Sequence, residues 1–217
     1  MDSDRITRIE KISSGLGHDL KAPLRAINFY SDLFLEDYED ELDEEALDYL
    51  KKIRSGSEKL NLIVRELNIQ IKALKCLDQP DVIKWPSFLD EILNEADITI
   101  QKSGGDFTFK SSMQLLMSAF KELLNNFRMH AGENANLYCQ GEQKENLISI
   151  KFYDDGQGLA EKISLDSLFQ AGPGSADGEP AYGLYFVRRI CQELNGDCKY
   201  FEPEGGGFGI EMLFHNN

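Results

Sequence analysis

From Ile6 to Phe34 apolar residues return at steps of three and four, at Ile9, Ile12, Leu16, Leu20, Ile27, Tyr30 and Phe34. That spacing predicts one long helix with a buried stripe. A second pattern runs from Glu44 to Cys76, where Ala46, Leu50, Ile53, Ser57, Leu60, Val64, Leu67, Ile71 and Leu74 follow a heptad-like alternation. Glu58, Leu62, Arg65 and Ile69 lie off that seam. Between the two patterns, nine of the thirteen residues from Glu36 to Asp48 are acidic. Such a run suits a solvated turn and the start of a helix, where carboxylates meet the positive end of the dipole. The first half therefore reads as an antiparallel helical hairpin. Two helices of ~30 residues, each ~45 Å long, touch along one seam and leave apolar faces of this width uncovered. A homodimer with a four-helix bundle is the expected solution; packing of the hairpin on the second half of the same chain is the alternative.

The helical pattern stops around Gln79-Pro80 and Trp85-Pro86, because a residue before proline is pushed out of helical geometry. Residues 1–79 and 80–217 are therefore expected to form separate domains. A short helix (Phe88 to Glu95) is followed by Ile98-Thr99-Ile100 and Phe107-Thr108-Phe109, which flank Ser103-Gly104-Gly105 in the manner of a hairpin. Next come a long amphipathic helix (Ser112 to Met129), strands over Asn136 to Gln140 and Leu147 to Tyr153, and a loop from Asp154 to Tyr182. A helix from Gly183 to Leu194 and two strands around Gly205-Gly206-Gly207 close the order. The fold class is α+β: a helical hairpin followed by an α/β sandwich.

Composition narrows the partners. The 217 residues carry 38 acidic against 23 basic side chains, a formal charge of −15, which repels nucleic acid and anionic lipid at long range. No apolar run approaches the ~20 residues of a spanning helix, so no membrane segment is expected in this chain and a cytoplasmic location is. Cys76, Cys139, Cys191 and Cys198 are scattered without a C-x-x-C pair, which suggests neither a zinc site nor a disulfide framework.

Candidate chemistry begins at His18. A helical histidine is ordinarily a solvated side chain. At ~100° per residue, however, His18 lies ~200° from both Leu16 and Leu20, away from the apolar stripe and beside Lys21, Ala22 and Arg25. Asp19 adjoins it, and Pro23 removes the backbone donor that would bond the Asp19 carbonyl, so a kink is expected there. The string His18-Asp19-Leu20-Lys21-Ala22-Pro23-Leu24-Arg25 resembles the H-box of sensor histidine kinases, the dimerising module that carries the phosphoacceptor histidine. The resemblance implies that His18 accepts the γ-phosphoryl group of ATP, with Asp19 orienting the imidazole and taking its proton.

Further along, Glu122-Leu123-Leu124-Asn125-Asn126 falls on the long helix and Asp154-Asp155-Gly156-Gln157-Gly158 follows a strand. Taken singly, a helix-surface polar pair and a strand-ending turn account for them. In this order they resemble the N-box and first glycine box of the Bergerat ATP-binding fold shared by gyrase B, heat-shock chaperones and histidine kinases. Gly183-Leu184 resembles the second glycine box, and Gly205 to Gly209 the last glycine-rich turn. The resemblance implies ATP and Mg2+ as cofactors, with Asn126 as metal ligand and Asp154 as acceptor of the adenine amino group. Gly156 and Gly158 would let the backbone approach the base, and Glu122 would polarise the nucleophile or help hold the metal. Gly183 would be a further cofactor-binding residue, and Phe169 to Tyr182 would form a lid. Phe127, Met129 and Ala181 depart from the family's pattern at positions near the phosphates.

The expected function is an ATP-dependent protein histidine kinase that autophosphorylates His18 and passes the phosphoryl group to an aspartate of a response-regulator receiver domain. Two alternatives stand beside it: a dimeric histidine phosphotransferase with a degenerate ATP-binding domain, and a binding module in which His18 is inert.

Overall fold

The structure is a computed structural model that describes residues 3–96, 99–159, 164–165, 167–170 and 182–216. Side chains are described from Leu20 onward, apart from Lys21, Glu39, Leu77, Asp78, Glu95 and Ala96. The chain divides into two compact units, Met1–Lys75 and Cys76–Asn217.

In the first unit, α1 (Ser3–Tyr38) and α2 (Glu44–Asp78) are joined by a 3-10 turn over Glu39–Glu41. The acidic run forms this connection because Asp43 caps α2, its Oδ1 accepting from the Ala46 amide at 2.8 Å, while Glu44 and Glu45 occupy the first turn. The helices run antiparallel: the Ser57 hydroxyl donates to the Leu24 carbonyl at 3.4 Å, and Arg54 meets Asp32 at 3.5 Å. Pro23 lies inside α1, whose helical assignment continues through it. Within a single chain the hairpin covers only part of the two apolar stripes. Leu24 and Ser31 are buried, whereas Leu20, Ile27, Tyr30 and Phe34 of the predicted stripe are exposed. In α2 the heptad splits: Ser57 and Val64 are buried, Ile53, Leu60, Leu67 and Leu74 are exposed, and the off-seam Ile69 is buried. One partner helix can cover only one ridge of its neighbour, so the second ridge stays open. The side chains of Ile9, Ile12, Leu16, His18 and Asp19 lie outside the described residues.

The second unit opens with β1 (Asp81–Lys84) and α3 (Trp85–Ala96). Pro86 falls in the first turn of α3, where a missing amide costs no helical bond. There follow β2 (Ile100–Gly104), β3 (Thr108–Ser111), α4 (Met113–His130), β4 (Leu137–Lys144), β5 (Leu147–Asp154), α5 (Gly183–Glu193), β6 (Gly196–Phe201) and β7 (Gly209–His215). Five strands form one sheet in the order β2-β4-β5-β7-β6, parallel between β2 and β4 and antiparallel elsewhere. The expected hairpin across Gly104-Gly105 does not form. β2 pairs with β4, and β3 pairs instead with β1 through Ile83↔Phe109. Phe107 decides this, because its ring stacks on Trp85 at 5.7 Å and its carbonyl accepts from the Trp85 amide at 3.0 Å. Ile98 lies outside the described residues.

The core is packed on one sheet face. Cys139, Ile148, Ile150, Phe152, Ile210 and Met212 alternate inward along their strands and meet Leu116, Phe120, Leu123, Phe186 and Ile190 of α4 and α5. Phe120 stands edge-on to both Phe88 and Phe152, at 5.4 and 5.8 Å. The inward register of β5 ends on Asp154, so the alternation that builds the core also carries a carboxylate to its rim. Among the described residues no helix is long and apolar enough to cross a membrane.

Candidate functional site

The geometry of α4 follows from its cap and its apolar face. Ser112 accepts from the Leu115 amide and Asp81 Oδ2 from the Met113 amide at 2.8 Å, which satisfies two of the orphan donors of the first turn. Leu115, Leu116, Ala119, Phe120, Leu123 and Leu124 face the sheet. This leaves Glu122 and Asn126, one turn apart, half-buried at the edge of the packed face. α5 approaches them from the other side: a side chain at Gly183 would place its Cβ 3.3 Å from Glu122 Oε2. Tyr182 supplies no side-chain cap to α5, and amides at an uncapped helix start suit an anion. Glu122 and Gly183 thus meet at the α4–α5 contact, with Asn126 one turn further along α4.

Asp154 forms the second part. It is only 5% exposed. Its amide donates to the Phe208 carbonyl at 2.9 Å, and its Oδ1 accepts from the amides of Gly156 at 2.9 Å and Phe208 at 3.3 Å. No donor among the described residues reaches Oδ2. Burial raises the Asp154 pKa above the ordinary carboxylate range; the two amides oppose the rise and the charge of Asp155 adds to it. One oxygen is therefore locked and the other left to accept from an incoming N–H.

The turn after Asp154 needs its glycines. A Cβ on Gly156 would overlap the Ala131 carbonyl oxygen, and Gly158 has φ 72° with its Cβ direction 3.0 Å from the Gly207 oxygen. The Gln157 amide donates to Ala131 O at 3.2 Å, and Ala131 ends α4, its own amide bonded to Phe127 O. Asp154, Gly156 and Gly158 are thereby joined through Ala131 to the helix that carries Glu122 and Asn126. His18 and Asp19 lie on α1, in the other unit. Of the candidate lid, Phe169 to Tyr182, residues 171–181, including Ala181, lie outside the described residues.

Residue-type reasoning missed Ala131, and it marked Gly207 and Phe208 only as part of the Gly205 to Gly209 turn, because all three act through backbone atoms. It also passed over Asp155, whose doubling of Asp154 was the available cue. Among the described residues no group of three or more His, Cys, Asp and Glu gathers to enclose a metal. A Mg2+ shared with phosphates needs only one or two protein ligands, so the oxygens of Asn126 and Glu122 fit such an ion.

Residues 8–70 match the His Kinase A (phospho-acceptor) domain, and residues 112–216 match the histidine kinase-, DNA gyrase B- and HSP90-like ATPase domain. The chain belongs to the histidine kinases, as a phospho-acceptor domain followed by an ATPase domain. It is 23% identical over 223 residues to the sensor protein kinase PilS of Pseudomonas aeruginosa, covering 97% of this chain and 41% of that protein. It is 29% identical over 226 residues to the sensor histidine kinase YvrG of Bacillus subtilis, covering 96% and 38%. The chain thus spans about two fifths of the length of these relatives. Among solved structures, the Acinetobacter baumannii histidine kinase AdeS superposes with a TM-score of 0.56 at 16% identity, covering 92% of this chain and 98% of that one. The catalytic domain of histidine kinase ThkA gives a TM-score of 0.54 at 14% identity over 64% of this chain and 97% of that one. These likenesses establish the fold.

Proposed function

We propose that the chain is the catalytic core of a two-component sensor kinase, which uses ATP to phosphorylate His18 and passes the phosphoryl group to an aspartate of a receiver domain. The observation that carries this reading is the pairing, in one chain, of a phospho-acceptor domain containing His18 with an ATPase domain whose Asp154 offers a single uncommitted carboxylate oxygen. Asp154 Oδ2 accepts from the adenine amino group. The Gly183 start of α5 takes phosphate charge. Asn126, with Glu122 one turn before it, would hold Mg2+, and the ion would supply charge neutralisation at the phosphates.

In the transfer, an imidazole nitrogen of His18 forms a bond to the γ-phosphorus while the bond from that phosphorus to the β–γ bridging oxygen breaks, and ADP leaves. Asp19 takes the proton from the other ring nitrogen. The second transfer moves the phosphoryl group from nitrogen to a receiver carboxylate. Positioning and charge neutralisation supply the catalysis. The exposed ridge of Leu20, Ile27, Tyr30 and Phe34 with Ile53, Leu60, Leu67 and Leu74 supports a homodimer with a four-helix bundle, each chain covering the ridge the other leaves open. Both domains are placed in the cytoplasm, where ATP is, and residues 1–79 and 80–217 are taken as the functional division.

The test is incubation with γ-labelled ATP and Mg2+, comparing wild type with His18→Ala and Asn126→Ala. Label lost in both variants supports the kinase. No label from ATP, together with His18-dependent uptake from a phosphorylated receiver, replaces it with the relay reading. No label from either source leaves only a binding module.

A further inference from the structure

The turn that presents Asp154 is held from the side by the next residue. The last ladder pair between β4 and β5 is Leu137↔Asp154, and beyond it the Asn136 amide has no strand carbonyl to meet. The side chain of Asp155 fills that place: Oδ1 accepts from the Asn136 amide at 2.6 Å, and Oδ2 accepts from Asn136 Nδ2 at 2.9 Å and from the Tyr138 hydroxyl at 3.1 Å. The Asp155 amide returns a bond to Asn136 O at 3.3 Å. Tyr138 is itself fixed, its ring stacked on Tyr153 with centroids 5.0 Å apart and planes 9° from parallel. Two donors from Asn136 and one from Tyr138 therefore converge on one carboxylate.

These contacts bear directly on Asp154. With Asp155 anchored to β4, the chain can leave β5 in one direction only. That direction brings the Gly156 amide back to Asp154 Oδ1 and the Gln157 amide to Ala131 O at the end of α4. Released from Asn136, the turn would lose the constraint that selects which oxygen of Asp154 is locked and which is offered.

We propose that Asp155 is a positioning residue for base recognition: by clamping the 154–157 turn to Asn136 and Tyr138, it aims Asp154 Oδ2 at the exocyclic amino group of adenine. The inference rests on the nucleotide reading above and adds to it a residue that touches no part of the nucleotide. A carboxylate accepts all three donors at once. An asparagine at 155 keeps an acceptor for one donor but turns an N–H toward Asn136 Nδ2, itself a donor. The clamp therefore acts on selectivity for the base and not on the phosphates.

The experiment measures equilibrium binding of ATP and of inosine triphosphate, both with Mg2+, to the full chain. Inosine triphosphate has the same phosphates and sugar but carries a carbonyl in place of the amino group. Wild type is expected to prefer ATP. Asp155→Ala should weaken ATP binding by about tenfold, the scale of one lost hydrogen bond to a charged group, with inosine triphosphate affinity unchanged within about twofold. Asp155→Asn and Tyr138→Phe, which change few atoms, should give smaller losses of the same sign, confined to ATP. In turnover the loss should appear in KM for ATP, with kcat for His18 phosphorylation preserved. Equal weakening of both nucleotides by all three variants would show general damage and overturn the inference. Retained preference for ATP in the variants would overturn it alone, leaving the nucleotide reading in place. A wild type that binds neither nucleotide would overturn that reading and the inference with it.

Discussion

The two units differ in how far each completes its own interior. In the α/β unit Phe120, Ile148, Ile150, Val187, Ile210 and Met212 are fully buried. In the hairpin, Tyr30 is 66% exposed, Phe29 61%, Leu60 52% and Leu67 50%. Exposed apolar residues scattered singly need no explanation. A continuous row of them along two adjacent helices marks a surface built to be covered. The ATPase unit thus carries a closed core, whereas the phospho-acceptor unit holds half of an interior.

Substitutions should separate the two cases sharply. Phe120→Ala removes a ring packed edge-on between Phe88 and Phe152, and denaturant unfolding followed in the α/β unit should show a loss of about 3–5 kcal/mol. The same loss should appear at every protein concentration. Leu60→Glu combined with Leu67→Glu leaves the single-chain contacts at Ser57 and Val64 intact. By sedimentation the variant should dissociate at micromolar concentration, a weakening of about a hundredfold or more. A variant that remains dimeric would show that the open ridge is not the interface.

The smallest effect concerns pH. Because burial raises the Asp154 pKa, the carboxylate takes up its proton at a higher pH than an ordinary aspartate does. A protonated Asp154 is a weaker acceptor for an amino hydrogen. ATP affinity should therefore fall on acidification, beginning above the usual aspartate range, while the affinity of inorganic tripolyphosphate should not follow. Parallel loss of both ligands would place the titrating group elsewhere.

Much of this arrangement is legible in the residue pattern, and the failures have physical causes. The heptad of α2 fixes the helix, but periodicity cannot say which of its two rows a single partner covers. Hence Leu60 and Leu67 read as seam residues and are exposed, while the off-seam Ile69 is buried. β1 is four residues long with one buried side chain, Ile83, too short for alternation to register. Its absence from the reading made a hairpin of β2 and β3. At the site, Glu122, Asn126 and Asp154 are visible as residue types at characteristic spacings. The groups that hold Asp154 in place are amides and carbonyls of Phe208, Gly156 and Ala131, and any residue but proline can supply an amide.

The bonds from Phe208 to Asp154 also impose an order in time. Synthesis proceeds from α1 toward β7, so every nascent chain possesses His18 before the ribosome has joined the residue whose amide and carbonyl hold Asp154. On the function proposed above, a chain that stops short of Phe208 would present the proposed acceptor while its own nucleotide site is still incomplete.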